Sequence, residues 1–311
     1  MGISHYIKEI GRGKDGARAL SREQAADLFG QVLDGSVTDL EVGAFCLAMR
    51  IKGETAAEMA GFLDAPRART TRVGRADIVP VVLPSYNGAR KLPVLTPLLA
   101  LLLAQRGLAV LVHGAATDSV RVHAPTVLRL LGVEPGAGLL APGSVVYAPT
   151  EALCPGLKRL LDVRRVVGLR NPAHSLVKLM NPCVGRALVV GSYTHPEYAL
   201  SMAQTFELMG ADALLLRGTE GEPVADPRRA PQMDGFVAGQ RQRLQDAQAG
   251  SLQQLPELPA SDAEATARYT QAVLAGTLPV PASIGAQVEH ILHIHAQLNP
   301  ITSARPAEAT P

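Results

Sequence analysis

Over the first seventy-five residues, apolar positions recur with the period of an α-helix. Ala25, Leu28, Phe29, Val32 and Leu33 follow Ser21, a residue type that caps helix N-termini, with Glu23 in the first turn and Gly35 where the pattern stops. Thr38 precedes Val42, Phe45, Cys46 and Met49 at the same spacing, and Thr55 precedes Met59, Phe62 and Leu63. The pattern predicts a small helical domain over residues 1–75, joined by short connections.

From Ile78 the period changes. Residues 78–84 form a short β-branched run that ends at Ser85-Tyr86-Asn87-Gly88, and an apolar helix over 96–105 leads to Gly107. A second strand over 109–112 ends at His113-Gly114, before a helix over 125–131 that stops at Gly132. Strand, turn, helix, glycine and strand make a βαβ unit, which implies a parallel sheet. Residues 145–148, 187–190 and 213–216 supply further strands, with a helix over 196–209 between the last two. Residues 219–262, rich in Gly, Pro, Gln and Asp, read as surface loops. The predicted fold is α/β: a small N-terminal helical domain plus a larger α/β domain over 76–300, its mainly parallel central sheet flanked by helices. Residues 301–311 have the composition of a flexible tail.

Composition agrees with this class. Of 311 residues 47% are hydrophobic, yet only five are Phe, six Tyr and none Trp, so Ala, Val and Leu carry the core. The length is enough to bury that core without disulfide or metal staples. Cys46, Cys154 and Cys183 are odd in number, far apart and form no CxxC, which argues against a disulfide framework or a zinc ribbon and for a reducing compartment. The N-terminal residues hold no apolar run of signal-peptide length, and the longest apolar run, 94–104, is too short to span a bilayer. The expectation is a cytoplasmic protein without membrane contact, free to associate with the nucleoid.

Net charge is only +2, but it is unevenly spread. Residues 1–75 hold eleven basic and ten acidic side chains, 76–200 twelve and six, and 201–311 seven and twelve, giving nets of +1, +6 and −5. Such asymmetry marks a surface for an anionic partner, or two segments that neutralise each other.

In an open parallel sheet, ligands bind beyond the carboxyl ends of the strands, which directs attention to the turns there. Pro84 to Lys91 has one glycine with Tyr86 in its middle and matches neither GxGxxG nor a Walker loop, although Arg90 and Lys91 can hold a phosphate as charges. His113, followed by Asp118, has the types of a base and its orienting carboxylate, or of a histidine that only bonds backbone. The densest basic stretch is Lys158, Arg159, Arg164, Arg165, Arg170 and Lys178, with Asp162 the one acid among them, and it suits phosphate recognition or a solvated surface equally. Gly11-Arg12-Gly13-Lys14 is a basic loop or a helix stop. His290, His293 and His295 lack a carboxylate or Cys partner, a weak zinc signal. No metal and no cofactor is expected.

Ala48 to Thr55, Glu58 to Gly61, Val163 to Arg170, Asn181-Pro182 and Gly191 to Pro196 resemble anthranilate phosphoribosyltransferases, in order, over roughly residues 5–225. The resemblance implies a helical domain on an α/β domain, usually dimerised through the helices. It also implies Ser85, Asn87, Gly88, His113 and Gly114 as the remnant of a phosphate site. The catalytic pattern of that family departs here. Pro84 to Gly88 stands for its Gly-Thr-Gly-Gly-Asp loop, and Tyr86 is expected to keep the amides from closing on a pyrophosphate. Val112 to Ala115 stands for Lys-His-Gly-Asn, Pro93 to Thr96 for Asn-Ile-Ser-Thr, Cys154 for a His of its His-His-Pro motif, and about Pro223-Val224 for its acidic metal pair. Magnesium would lose both carboxylates, whose hard oxygens it needs. The reading is a scaffold without phosphoribosyl transfer.

The stretches Ile7 to Lys14, Pro84 to Lys91, Val112 to Gly114, Gly168 to Asn171, Ala173 to Leu179 and Ser192 to Tyr198 resemble the YbiB-type branch of this superfamily. That resemblance implies a homodimer that binds DNA and RNA without sequence preference, associated with the response to DNA damage. Lys158, Arg159, Arg164, Arg165, Arg170, Lys178, Arg90 and Lys91 are its candidate contacts, and the scarcity of aromatics favours phosphate contacts over base stacking. Two other classes stay open: an enzyme that binds a small phosphorylated ligand through Arg90, Lys91 and His113, and a protein whose basic strip meets an acidic partner.

Overall fold

Each of the three predicted caps starts a helix. The computed structural model describes residues 2–13, 15–136 and 139–299, so the tail and Lys14 of the basic loop lie outside the described residues. Helix α1 (Ser4–Ile10) precedes α2 (Arg22–Asp34), α3 (Asp39–Lys52) and α4 (Ala56–Arg67). The side chains of Ser21, Thr38 and Thr55 accept the amides of Gln24, Glu41 and Glu58, which bond back to the cap amides, so orphan donors at three helix starts are satisfied reciprocally. The bundle closes on three buried rings: Phe29 and Phe62 lie 4.9 Å apart between centroids, and Phe45 meets both edge-on.

The second layer is a seven-stranded sheet in the order β3-β2-β1-β4-β5-β6-β7. Its elements run β1 (Val81–Ser85), α5 (Thr96–Gln105), β2 (Val110–Gly114), α6 (Ala124–Leu130), β3 (Val145–Pro149), α7 (Thr150–Leu153), α8 (Pro155–Val167), α9 (Ala173–Leu176), β4 (Leu188–Tyr193), α10 (Pro196–Met209), β5 (Asp212–Arg217), β6 (Met233–Val237), β7 (Gln240–Gln245), α11 (Ala263–Leu274) and α12 (Ala282–Leu298). Strands β1 to β5 are parallel, and β6 and β7 add an antiparallel edge. Both faces are covered, which is why these strands read as unbroken apolar runs. Val82, Leu111, Val189 and Leu215 join the core on the helical-domain side, while Val81, Leu83, Val110 and Leu214 pack toward α5, α11 and α12.

The hairpin corrects the expectation of loops over 219–262. Its alternation is hidden because Asp234 on β6 pairs with Arg241 and Arg243 on β7, so the edge strand carries charge instead of apolar side chains.

The order in which strands are added reverses between β1 and β4, with β2 and β3 to one side and β5 to the other, which makes that junction the switch point where this architecture opens a crevice. Pairing there stops after Val82 and Val189, whereas β1 stays paired with β2 through Ser85 and β4 with β5 through Tyr193. The sheet therefore splits at its carboxyl end. Helix α8 fixes the helical bundle beside the split: Gly156 packs so closely on α2 that a Cβ would stand 2.2 Å from the Leu33 carbonyl oxygen, and Arg159 donates to that oxygen at 2.8 Å.

Candidate anion-binding cleft

The split is filled by the chain's own carboxylates. After β5, the turn Thr219–Gly221 carries Glu220 at φ 51° and Gly221 at φ 88°, a backbone that only tight packing sustains at a non-glycine residue. Glu222, 1% exposed, accepts the amides of Asn87 at 2.9 Å and Gly88 at 2.8 Å and the hydroxyls of Ser85 and Thr96. Glu220 accepts the amides of Arg90, Lys91 and Leu92 at 2.8–3.1 Å and faces Arg121 at 3.2 Å. The turn after β1 is thus a cradle of converging donors, as anion sites are, and it is occupied.

This corrects the expected effect of Tyr86. The ring does not obstruct the turn; it points into the core, where its hydroxyl accepts from Thr150 and meets His113 Nδ1 at 2.9 Å. His113 is fully buried on β2, and that burial pushes its pKa down to about 3, so the ring stays neutral. Asp118 does not orient it, since that carboxylate faces Arg121 at 3.5 Å and Arg164 at 3.8 Å. His113 and Asp118 form no acid–base pair, and Gly114 sits under the turn, where a Cβ would strike the Ser85 carbonyl oxygen.

Beside the cradle lies a cavity of about 500 Å³ between α3 and the ends of β4 and α9, lined in part by Arg50, Arg170, His174, Lys178, Tyr198 and Met202. Burial lowers the Arg170 guanidinium from its usual range, and Arg164, Arg121 and Arg50 lower it further by repulsion. Burial, with Arg170 nearby, brings the Lys178 ammonium down to about 8. The same two causes hold His174 near pH 4 and neutral, with its Nε2 buried and unpartnered. The same lining holds Glu54 and Glu197, and Asp118 faces Arg121 and Arg164, but Arg50, Arg170 and Lys178 make no ion pair among the described residues.

The predicted basic residues separate into two groups. Arg164, Arg170 and Lys178 meet at this cleft, with Arg90 and Lys91 exposed on the neighbouring turn and Arg165 exposed on α8. Lys158 pairs with Asp162, and Arg159 ties α8 to α2. The sequence reading missed Arg50 on α3, Arg121 in the loop before α6, and Arg217 at the end of β5, where it lines a neighbouring cavity. It also missed Glu220 and Glu222, whose signal was two carboxylates bracketing a glycine just after a strand. Among the histidines near the C-terminus, His290 meets Gln245, His293 meets Gln297 and His295 meets the Val79 carbonyl.

Residues 4–70 match the helical bundle domain of the glycosyl transferase family. The chain is 30% identical over 293 residues to an anthranilate phosphoribosyltransferase of Symbiobacterium thermophilum, covering 87% of this chain and 81% of the relative. It is 42% identical over 298 residues to the uncharacterized protein YbiB of Escherichia coli K12, covering 93% and 92%. The chain belongs to glycosyltransferase family 3 and is a YbiB homologue. Its fold is that of the anthranilate phosphoribosyltransferase of Thermus thermophilus, with a TM-score of 0.68, 22% identity and coverage of 94% and 88%. The Saccharomyces cerevisiae enzyme in complex with PRPP and Mg superposes with a TM-score of 0.65 at 14% identity, covering 96% and 88%.

Magnesium does not fit this YbiB homologue at the matching place. Pro223 and Val224 offer no carboxylate, and the adjacent Glu220 and Glu222 are saturated by amides and hydroxyls that a metal would have to displace. No helix among the described residues is long and apolar enough to cross a membrane.

Proposed function

We propose that this YbiB homologue binds DNA and RNA through the cationic cleft, without reading sequence and without transferring phosphoribosyl groups. One observation carries the reading: Arg50, Arg121, Arg164, Arg170 and Lys178 gather at one cleft, next to a turn whose donors are already taken by Glu220 and Glu222. Arg121 and Arg164 have carboxylate partners, but Arg50, Arg170 and Lys178 make no ion pair among the described residues, and a polyanion relieves the repulsion among them. A small substrate phosphate has lost its cradle, whereas a phosphodiester backbone needs only charge at intervals. Arg90, Lys91 and Arg165 extend the surface at its rim, and Lys158 and Arg159 form its outer margin two helical turns back along α8.

A homodimer doubles the surface. Leu40, Leu47 and Ile51, 84%, 48% and 60% exposed, fall with Ala44 on one face of α3, an apolar stripe beside α1 that suits a second copy of the bundle. A role in the response to DNA damage is part of the same proposal.

Fluorescence anisotropy with labelled oligonucleotides of different sequence, at two salt concentrations, tests it. The expected result is sequence-independent binding whose log K falls with log salt by about 0.7 to 0.9 per phosphate contact. Arg164→Gln with Arg170→Gln should weaken binding and flatten that slope; unchanged affinity would place the site elsewhere. A second reading draws on the cavity's small-molecule size, about 500 Å³, and takes a small phosphorylated ligand. Calorimetry with phosphoribosyl pyrophosphate and magnesium separates the two, since tight binding with turnover of an aromatic amine favours the enzyme.

A further inference from the structure

The cations of the cleft are not at one depth. Lys178 is 8% exposed, and its ammonium donates to the Gly221 carbonyl at 3.0 Å from the wall of the 500 Å³ cavity. Arg170 is half-buried in the same wall. A second cavity, of about 710 Å³, lies beyond the ends of β1 and β5, where Lys91 and Arg217 stand in its lining. The two cavities adjoin across Tyr193, Thr194 and His195, the turn from β4 into α10, which lines both. Lys91, Arg170, Lys178 and Arg217 make no ion pair among the described residues, unlike Arg228 and Arg229, which share Asp226.

Depth decides what can reach these charges. A duplex carries its phosphates on the outside of a stiff cylinder with its bases turned inward, so it meets only what projects from the protein. Arg90 and Arg165 project in that way; Lys178 does not. A single strand is flexible, can turn its phosphates into a channel, and has bases free to lie on aromatic faces. His195 and Tyr198 supply such faces where the two cavities adjoin, their rings 6.5 Å apart.

We propose that these adjoining cavities take single-stranded DNA or RNA, running across Thr194 and His195 and reaching the recessed Arg170 and Lys178, and that duplex engages the exposed rim alone, where Lys91 and Arg217 serve both forms. The proposal rests on the nucleic-acid reading above and names the form of nucleic acid that the same site selects.

Anisotropy with a labelled oligothymidylate of about 12 nucleotides and a duplex of equal length, at one salt concentration, reads the selection. The full-length wild type should bind the single strand at least about tenfold more tightly. Lys178→Met and Arg170→Gln should each weaken single-strand binding about fivefold or more while changing duplex binding less than about twofold. Arg165→Gln should weaken both forms alike. If Lys178→Met loses its thermal transition, half-buried Arg170, which makes no ion pair among the described residues, carries the test alone. Equal wild-type affinity for the two forms, or an equal loss for both in Arg170→Gln, overturns the single-strand selection while leaving nucleic-acid binding intact. Absence of binding to either form overturns the underlying reading instead.

Discussion

Glu222 Oε1 accepts the Asn87 amide at 2.9 Å across the split between β1 and β4. A carboxylate from one side of the switch point is thereby the anion for a turn on the other. Glu222→Ala would leave two amides and two hydroxyls aimed at an empty space the size of a carboxylate. Each buried donor left unmade costs about 1–3 kcal/mol, and water entering the space recovers part, so the net loss should be near 3 kcal/mol. Added formate should restore part of the lost melting temperature, because it presents the same two oxygens. Thermal melts with formate against chloride at equal ionic strength check this, and equal effects of the two salts would mean the turn is no anion cradle.

The helical caps, the apolar strands and the helices over 96–105 and 196–209 were legible in the sequence because each is a local pattern with a local stop. The hairpin of β6 and β7 was not, since its charged partners Asp234, Arg241 and Arg243 lie on different strands and only pairing reveals their order. The site was half legible. Arg164, Arg170 and Lys178 stood out by density along the chain, but Arg50 and Arg121 reach the cleft from α3 and from the loop before α6, and Arg217 lines the cavity beside it, and spacing says nothing of that. Glu222 was hidden for a further reason: its role depends on a gap in sheet pairing that no residue type announces.

Affinity for a single strand should fall as pH rises through about 8. Burial, followed by Arg170, lowers the Lys178 ammonium to about 8, so the charge it offers is present below that pH and lost above it. The buried thiols Cys46 and Cys183 are pushed up to about 12 and stay silent in this range. Stability moves the opposite way: between about 8 and 10.5 the unfolded chain holds the Lys178 proton that the folded chain has released, so this group adds stability as pH rises. A loss of binding between pH 7 and 9 without a lower melting temperature is therefore expected, and Lys178→Met should bind weakly with a flat profile. An unchanged profile in that variant would assign the titration to another group.

Acid should destabilise the fold before its carboxylates titrate. Burial holds His113 at about 3 and, with Arg170 second, His174 at about 4, whereas both protonate near 6.5 when unfolded. Their contribution is complete above about pH 6.5 and declines as pH falls toward 4, because over that range the unfolded state binds the extra protons. The decline is about 1.4 kcal/mol per pH unit for each ring. Denaturant melts between pH 7 and 4.5 should show it, and His113→Gln should remove about half of the slope. A wild-type midpoint that does not move over this range would mean that these rings are hydrated in the folded protein.

The apolar stripe on α3 gives the most direct test of assembly. Leu47 and Ile51 are four residues apart on the same helical face, both exposed, and neither supports the bundle core formed by Phe45, Cys46 and Met49. Leu47→Glu with Ile51→Glu should leave the monomer's melting transition within about 0.5 kcal/mol of wild type, since surface changes away from core packing rarely do more. Placed at a two-fold interface, the same charges face their own copies and lose water together, which association does not survive. Light scattering should then report the chain mass of 32.7 kDa in place of twice that value. Binding should weaken in parallel, because a long oligonucleotide that engages two clefts gains from their linkage and a monomer offers one. A variant that stays dimeric would move the interface off α3, and a monomer that binds long oligonucleotides as tightly as the wild type would show that each cleft acts alone.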